Sequence, residues 1–169
     1  PNPSKVGATV VFTATVAANF TVRNLQHGDT QIQRWTGEAR VDISGASRSQ
    51  LKVTGDGLML GGQNWKSFTL DGSGTPSAHD LKAELVGDPG RFLLALAGSL
   101  RTPSLLWQGR ITQLSARDTV AGAWNLDQPA AARTSNRQAN LDAVCLSSAP
   151  TRICVQGQWD AAGGFKGRL

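Results

Sequence analysis

Val6-Gly7-Ala8-Thr9-Val10-Val11-Phe12-Thr13-Ala14-Thr15-Val16-Ala17-Ala18-Asn19-Phe20-Thr21-Val22-Arg23 decides the fold class. Its even positions are Val6, Ala8, Val10, Phe12, Ala14, Val16, Ala18, Phe20 and Val22, all apolar, while the odd ones are mostly Thr and end in Asn19, Thr21 and Arg23. Successive side chains of a strand point to opposite faces, so a period of two gives one apolar face and one polar face. From Val6 to Val22, fully extended, the run spans about 53 Å at roughly 3.3 Å per residue. Globular strands usually stop after about 5–6 residues. The run therefore either bends or bulges near Asn19 or belongs to an unusually wide sheet.

The same habit continues outward. Trp35, Gly37, Ala39, Val41 and Ile43 alternate with Thr36, Glu38, Arg40, Asp42 and Ser44. Leu51 and Val53 alternate with Gln50 and Lys52, and Gly55-Asp56-Gly57 reads as a turn because glycine accepts positive φ. Leu58 and Leu60 follow, then the Gly61-Gly62 break, then Phe68 and Leu70. Residues 71–76 mark another connection. Ala78 to Val86 fits two periods: Leu81 and Leu85 are four apart, yet both also alternate with charged residues. Its neighbours are strands and turns, so a strand is expected. Phe92 to Leu96 is apolar on both faces, with Leu94 assigned to the shared apolar one. Trp107 and Ile111 sit in the next strand, and Val120 to Leu126 in a short one. Residues 128–140 read as a loop with room for one helical turn, and strands at about Leu141–Leu146 and Arg152–Trp159 complete the chain.

Consecutive strands joined by short turns pair with one another. The expected fold is all-β: residues 1–169 form a single segment, a curled, mostly antiparallel sheet. Such a sheet makes an open trough with an apolar concave face. A closed lipocalin-like barrel is the competing closure at this length.

Composition supports strands over disorder. Apolar residues reach 40%, charged residues only 17%, and there are 19 glycines and five tryptophans but no tyrosine. Net charge is +5. The cations, among them Arg23, Arg34, Arg40, Arg48, Lys52, Lys66, Arg101 and Arg110, are scattered rather than clustered and fall mostly on polar positions, which suits a solvated face, with a contact surface for lipid headgroups or a partner as the alternative. That pattern argues against nucleic acid. No run has the ~18 apolar residues of a membrane helix. The chain opens on Pro1-Asn2-Pro3 without a signal peptide and closes on Lys166-Gly167-Arg168-Leu169, so a fragment of a longer chain is expected.

Catalytic chemistry is missing from the sequence. His27 and His79 have no thiol or carboxylate at ligand spacing, so neither a metal nor a cofactor is expected. No serine stands in a nucleophile-elbow motif, and Gly72-Ser73-Gly74 lacks the lysine of a phosphate loop. Trp35, Trp65, Trp107, Trp124 and Trp159 each lie in or beside an alternating segment, as anchors of a sheet face would. Cys145 and Cys154 flank a turn centred near Ala149. Antiparallel pairing about that centre sets them opposite each other, close enough for a disulfide; a different register leaves two thiols. A bridge would fit an oxidising compartment such as the periplasm.

Four phrases, in order, carry a family resemblance: Gly74-Thr75-Pro76-Ser77-Ala78-His79-Asp80-Leu81; Trp107-Gln108-Gly109-Arg110-Ile111 leading to Leu114; Gly122-Ala123-Trp124-Asn125-Leu126 with Pro129-Ala130 after it; and Cys145-Leu146 followed by Ile153-Cys154-Val155-Gln156-Gly157-Gln158-Trp159. The series resembles the C-terminal part of the TamB family. The resemblance implies a periplasmic protein anchored in the inner membrane of a Gram-negative bacterium, built as a long β-trough. It also implies phospholipid or another acyl-chain lipid as cargo, carried between inner and outer membranes. An outer-membrane barrel partner, TamA, would be met through regions outside this segment. The rival reading is a scaffold that assists outer-membrane protein assembly or secretion. Under the first reading the groove is lined by Val10, Phe12, Ala14, Val16, Phe20, Val22, Trp35, Val41, Ile43, Leu51, Val53, Leu58, Leu60, Phe68, Leu70, Leu81, Leu85, Leu94, Trp107, Ile111, Val120 and Leu126.

Overall fold

A computed structural model describes residues 15–28, 30–42, 44–101, 104–118 and 120–168. Among these residues twelve strands make one antiparallel sheet: β1 (Thr15–His27), β2 (Thr30–Asp42), β3 (Ser49–Leu60), β4 (Gln63–Thr75), β5 (Ala78–Gly87), β6 (Gly90–Arg101), β7 (Leu106–Asp118), β8 (Gly122–Leu126), β9 (Ala130–Thr134), β10 (Gln138–Ser148), β11 (Thr151–Asp160) and β12 (Gly164–Arg168). Neighbours in sequence are neighbours in the sheet, except that β8 and β9 share one position between β7 and β10. Among the described residues no ladder joins β1 to β12, so the sheet is an open, curled one and not a barrel.

The ambiguous Ala78–Val86 segment is strand β5, paired along its length with β4 and β6. Gly61 and Gly62, with φ of 55° and 75°, close β3 onto β4 through the two-residue hairpin that their missing Cβ atoms permit.

Two expectations need correction. Residues 128–140 are neither one loop nor a helical turn. Ala130–Thr134 is β9, held between Trp107–Ile111 of β7 and Ala139–Leu141 of β10. An alanine-rich run shows no apolar period, so pairing on both sides fixes it as strand where local sequence does not. The breaks lie at 127–129, where Pro129 has no N–H to give the ladder, and at the tight turn 135–137 between β9 and β10. Val120, expected in a strand, lies in the turn before β8 and is 94% exposed.

Nor is the irregularity in β1 at Asn19, which pairs regularly with Glu38. It falls at Asn24, whose φ is 50°. Gly57 of β3 has φ of 63°, and a register shift between Trp65 and Ser67 leaves Lys66 unmatched against β5. Ile32, Leu58 and Trp65 have the opposite parity to Trp35, Val53 and Phe68, yet they pack together with Trp35 and Leu85. The parity of four adjacent strands therefore switches in step, and the apolar face continues unbroken past the irregularity.

Candidate functional site

The cross-strand register sorts side chains onto two faces, because directly opposed residues share a side. One row runs Phe20, Gly37, Val53, Leu70, Ala83, Leu94 and Leu114 from β1 to β7. A parallel row runs Val22, Trp35, Gly55, Phe68, Leu85, Phe92 and Ala116, reaching Trp124 of β8. At the far side Leu126, Leu146 and Ile153 continue it, as do Val144 with Val155 and Trp159 with Phe165. Every described Trp and Phe falls on this face.

Glycines on the same face seat the rings. Phe20 covers Gly37 and Trp35 covers Gly55, where a Cβ would overlap each ring; the Trp107 indole lies over Gly98 and Gly109 in the same way. Trp35 also stacks on Phe68, with centroids 5.2 Å apart, and Trp65 meets Phe92 edge-on at 5.3 Å. This aromatic group, with Ile32, Leu58 and Leu85, is the best-packed part of the face.

Much of the face stays uncovered. Val16 is 51%, Phe20 41% and Val41 43% exposed, and Ile153, Val155 and Trp159 are comparably open. Toward β9–β12 a concavity of about 250 Å³ is lined by Trp107, Ala132, Leu141, Val155, Trp159 and Phe165. A larger concavity, about 780 Å³, lies instead mainly over polar residues of β1–β7, including Glu38, Lys52, Asp71 and Lys82. The twisted sheet is thus hollowed on both sides, with the apolar hollow the smaller.

Of the candidate lining, Val16, Phe20, Val22, Trp35, Val41, Leu51, Val53, Phe68, Leu70, Leu81, Leu85, Leu94, Trp107, Ile111 and Leu126 share the apolar face. Leu58 joins them through the parity switch, and Leu60 ends its strand half exposed. Val120 stands off the sheet. Val10, Phe12, Ala14 and Ile43 lie outside the described residues. Sequence reading left out Ile32 and Trp65, which simple alternation assigns to the wrong side. It also left out Ile153, Val155 and Trp159, whose alternation was visible.

Cys145 and Cys154 are direct partners in the β10–β11 ladder and are joined by a disulfide. Among the described residues no group of histidines, cysteines or carboxylates could hold a metal ion, and no helix is long and apolar enough to cross a membrane.

The sequence model of the family described as TamB, N-terminal domain, matches residues 11–168. The chain belongs to the TamB family. No curated protein and no solved structure matches it. The TamB match also corrects the expected position: the domain is the N-terminal one, not a piece of the C-terminal part. Gly, Trp and alternating Val or Leu in the matched phrases answer to the demands of a wide antiparallel sheet, which are the same along its length. They therefore identify TamB without locating the segment within it. TamB proteins belong to the bacterial envelope and serve transport and assembly rather than forming an enzyme family.

Proposed function

We propose that this domain holds the acyl chains of phospholipids against its apolar face, as one segment of a protein that moves lipid between the inner and outer membranes. The parent protein would stand in the periplasm, anchored in the inner membrane, and meet TamA through regions outside this segment. The observation that carries the reading is the one-sidedness of the sheet. All described aromatic residues and a branched or small apolar residue from nearly every strand share one face, and much of that face remains exposed. Soluble monomers rarely expose contiguous apolar patches beyond a few hundred Å² unless something binds there. Acyl chains suit it because hydrophobic transfer, worth about 0.8 kcal/mol per buried methylene, needs no polar code.

The test places photo-crosslinking residues at Val41, Phe92 and Val155 in cells. Adducts with phospholipid support lipid carriage. Adducts with nascent outer-membrane barrel proteins, and none with lipid, would instead support an assembly scaffold that receives a strand or an apolar segment of its client.

A further inference from the structure

The two halves of the chain differ in charge. Residues 1–89 carry eight Lys and Arg against eight Asp and Glu; residues 90–169 carry nine against four. The whole net charge of +5 therefore lies from β6 onward.

The register shows what this does to the polar face. Over β1–β6 one row reads Asn19, Glu38, Lys52, Asp71, Lys82 and Ala95, in which opposite charges face each other directly. Such a row is balanced in charge, although none of its facing residues closes to an ion pair among the described residues. Over β7–β12 the corresponding row reads Gln108, Arg133, Asn140, Gln158 and Lys166. It contains two cations, three amides and no acid. Arg168 stands opposite Gln156 in the next row, and Arg110 and Arg117 lie on the same face of β7. Arg133 donates to the Gln108 amide oxygen at 3.2 Å, which fixes the guanidinium without cancelling its charge.

The acids of this half are already engaged or few. Asp118 accepts the backbone N–H groups of Val120 and Ala121, Asp160 those of Ala162 and Gly163, and Asp127 pairs with Arg152 at 2.7 Å. Asp142, at the bulge of β10, shares a concavity of about 560 Å³ with Asn140, Gln156, Gln158, Lys166 and Arg168. Arg91 is neutralised by Glu84 at 2.7 Å. Arg110, Arg117, Arg133, Lys166 and Arg168 form no ion pair among the described residues.

We propose that the polar face of β7–β12 docks on an anionic bilayer, its unpaired cations meeting the phosphates of lipid headgroups. Four of the five are arginines, whose planar fork matches phosphate oxygens in pairs. Interleaved Asn and Gln side chains add neutral donors. Spaced at about 4.8 Å per strand, the Gln108–Lys166 row extends about 19 Å, broad enough to meet several headgroups at once. Single-stranded nucleic acid fits this surface less well. Its recognition needs aromatic platforms for the bases, and every described aromatic ring lies on the opposite face. This docking is independent of the acyl-chain reading, which concerns that opposite face.

The test is vesicle flotation of the chain with phosphatidylcholine vesicles, with and without phosphatidylglycerol. Binding should require phosphatidylglycerol and fall with added salt. The pair Arg133→Glu/Lys166→Glu should weaken it at least about tenfold, since each basic residue near an anionic surface contributes roughly fivefold. The charge-matched pair Arg40→Glu/Lys52→Glu, in the charge-balanced half, should weaken it less than about threefold. Circular dichroism checks folding, and Arg133→Gln/Lys166→Gln gives the same ordering if the reversed charges disturb the sheet. Equal losses from the two pairs, binding to phosphatidylcholine alone, or binding to duplex DNA without vesicle binding would overturn the proposal. Lipid content of the apolar face, read separately by mass spectrometry, should be the same in all these variants.

Discussion

The indole N–H of Trp107 donates to Nε2 of His79 at 2.9 Å, joining β7 to β5 across the intervening β6. An indole only donates, so Nε2 is the unprotonated nitrogen; Nδ1–H then donates to the Thr75 carbonyl at 3.2 Å. His79 is a positioning residue for the largest ring at that end of the apolar face. His79→Leu leaves the half-buried indole without an acceptor and should cost about 1–3 kcal/mol in urea unfolding. His79→Gln, which keeps an acceptor, should cost less. Equal costs would mean the hydrogen bond contributes nothing beyond packing.

The disulfide gives a second prediction. Cys145 and Cys154 close a short hairpin loop, so Cys145→Ser/Cys154→Ser should lower stability by roughly 2–3 kcal/mol through the freed unfolded chain. Hydrogen exchange should quicken first in β10 and β11. An unchanged melting curve in the oxidised and reduced states would remove the bridge from the account.

Asp42 sets the pH response of the β2–β3 connection. Its carboxylate accepts from the Ser44 hydroxyl, the Ser44 N–H and the Ser47 N–H, and the Ser44 hydroxyl contributes most to holding its pKa below the ordinary value of about 3.8. Burial opposes this without reversing it. A carboxylate lowered on folding stabilises the fold above its unfolded pKa, and that contribution is lost as pH falls through the folded value. Asp42→Asn should therefore melt earlier than the parent at neutral pH. Below about pH 3.8 the difference should shrink. A gap that stays constant down to the acid limit would contradict the assignment.

The parity switch can be tested at Gly57. A Cβ at Gly57, where φ is 63°, would meet the exposed Gln33 side chain and require it to swing aside, whereas Gly61, at φ 55°, has open space. Both Gly→Ala changes carry the left-handed penalty of about 1–2 kcal/mol. Gly57→Ala should exceed Gly61→Ala, because it also displaces Gln33, and it should blue- or red-shift the emission of the nearby Trp35 and Trp65. Matching costs with unchanged emission would mean the switch does not depend on that glycine.

These particulars show what could be read in advance. Alternation at Val16–Val22, Trp35–Val41 and Leu51–Val53 made the sheet and its apolar side legible, because period two is a property of the single strand. The antiparallel order followed from short turns such as Gly61-Gly62. Ile32 and Trp65 were illegible for the same reason: their side is set by left-handed or unmatched residues in neighbouring strands, and no single strand carries that information. β9 was hidden because alanine satisfies either face. The contrast between the charge-balanced and cationic halves of the polar face depends on which strands are opposed, so it emerged only with the register.

The central claim, that the apolar face carries lipid, is tested most directly by native mass spectrometry of the chain purified from cells. Three proteins are compared: the parent, Phe20→Asp/Val41→Asp on the apolar face, and Thr21→Asp/Arg40→Asp on the polar face, with circular dichroism and melting to verify folding. An ionised carboxylate among acyl chains costs several kcal/mol even after relaxation. The account predicts phospholipid bound to the parent and to the polar-face variant, and lost from the folded apolar-face variant. Phospholipid absent from the parent, or retained equally by both variants, would contradict it.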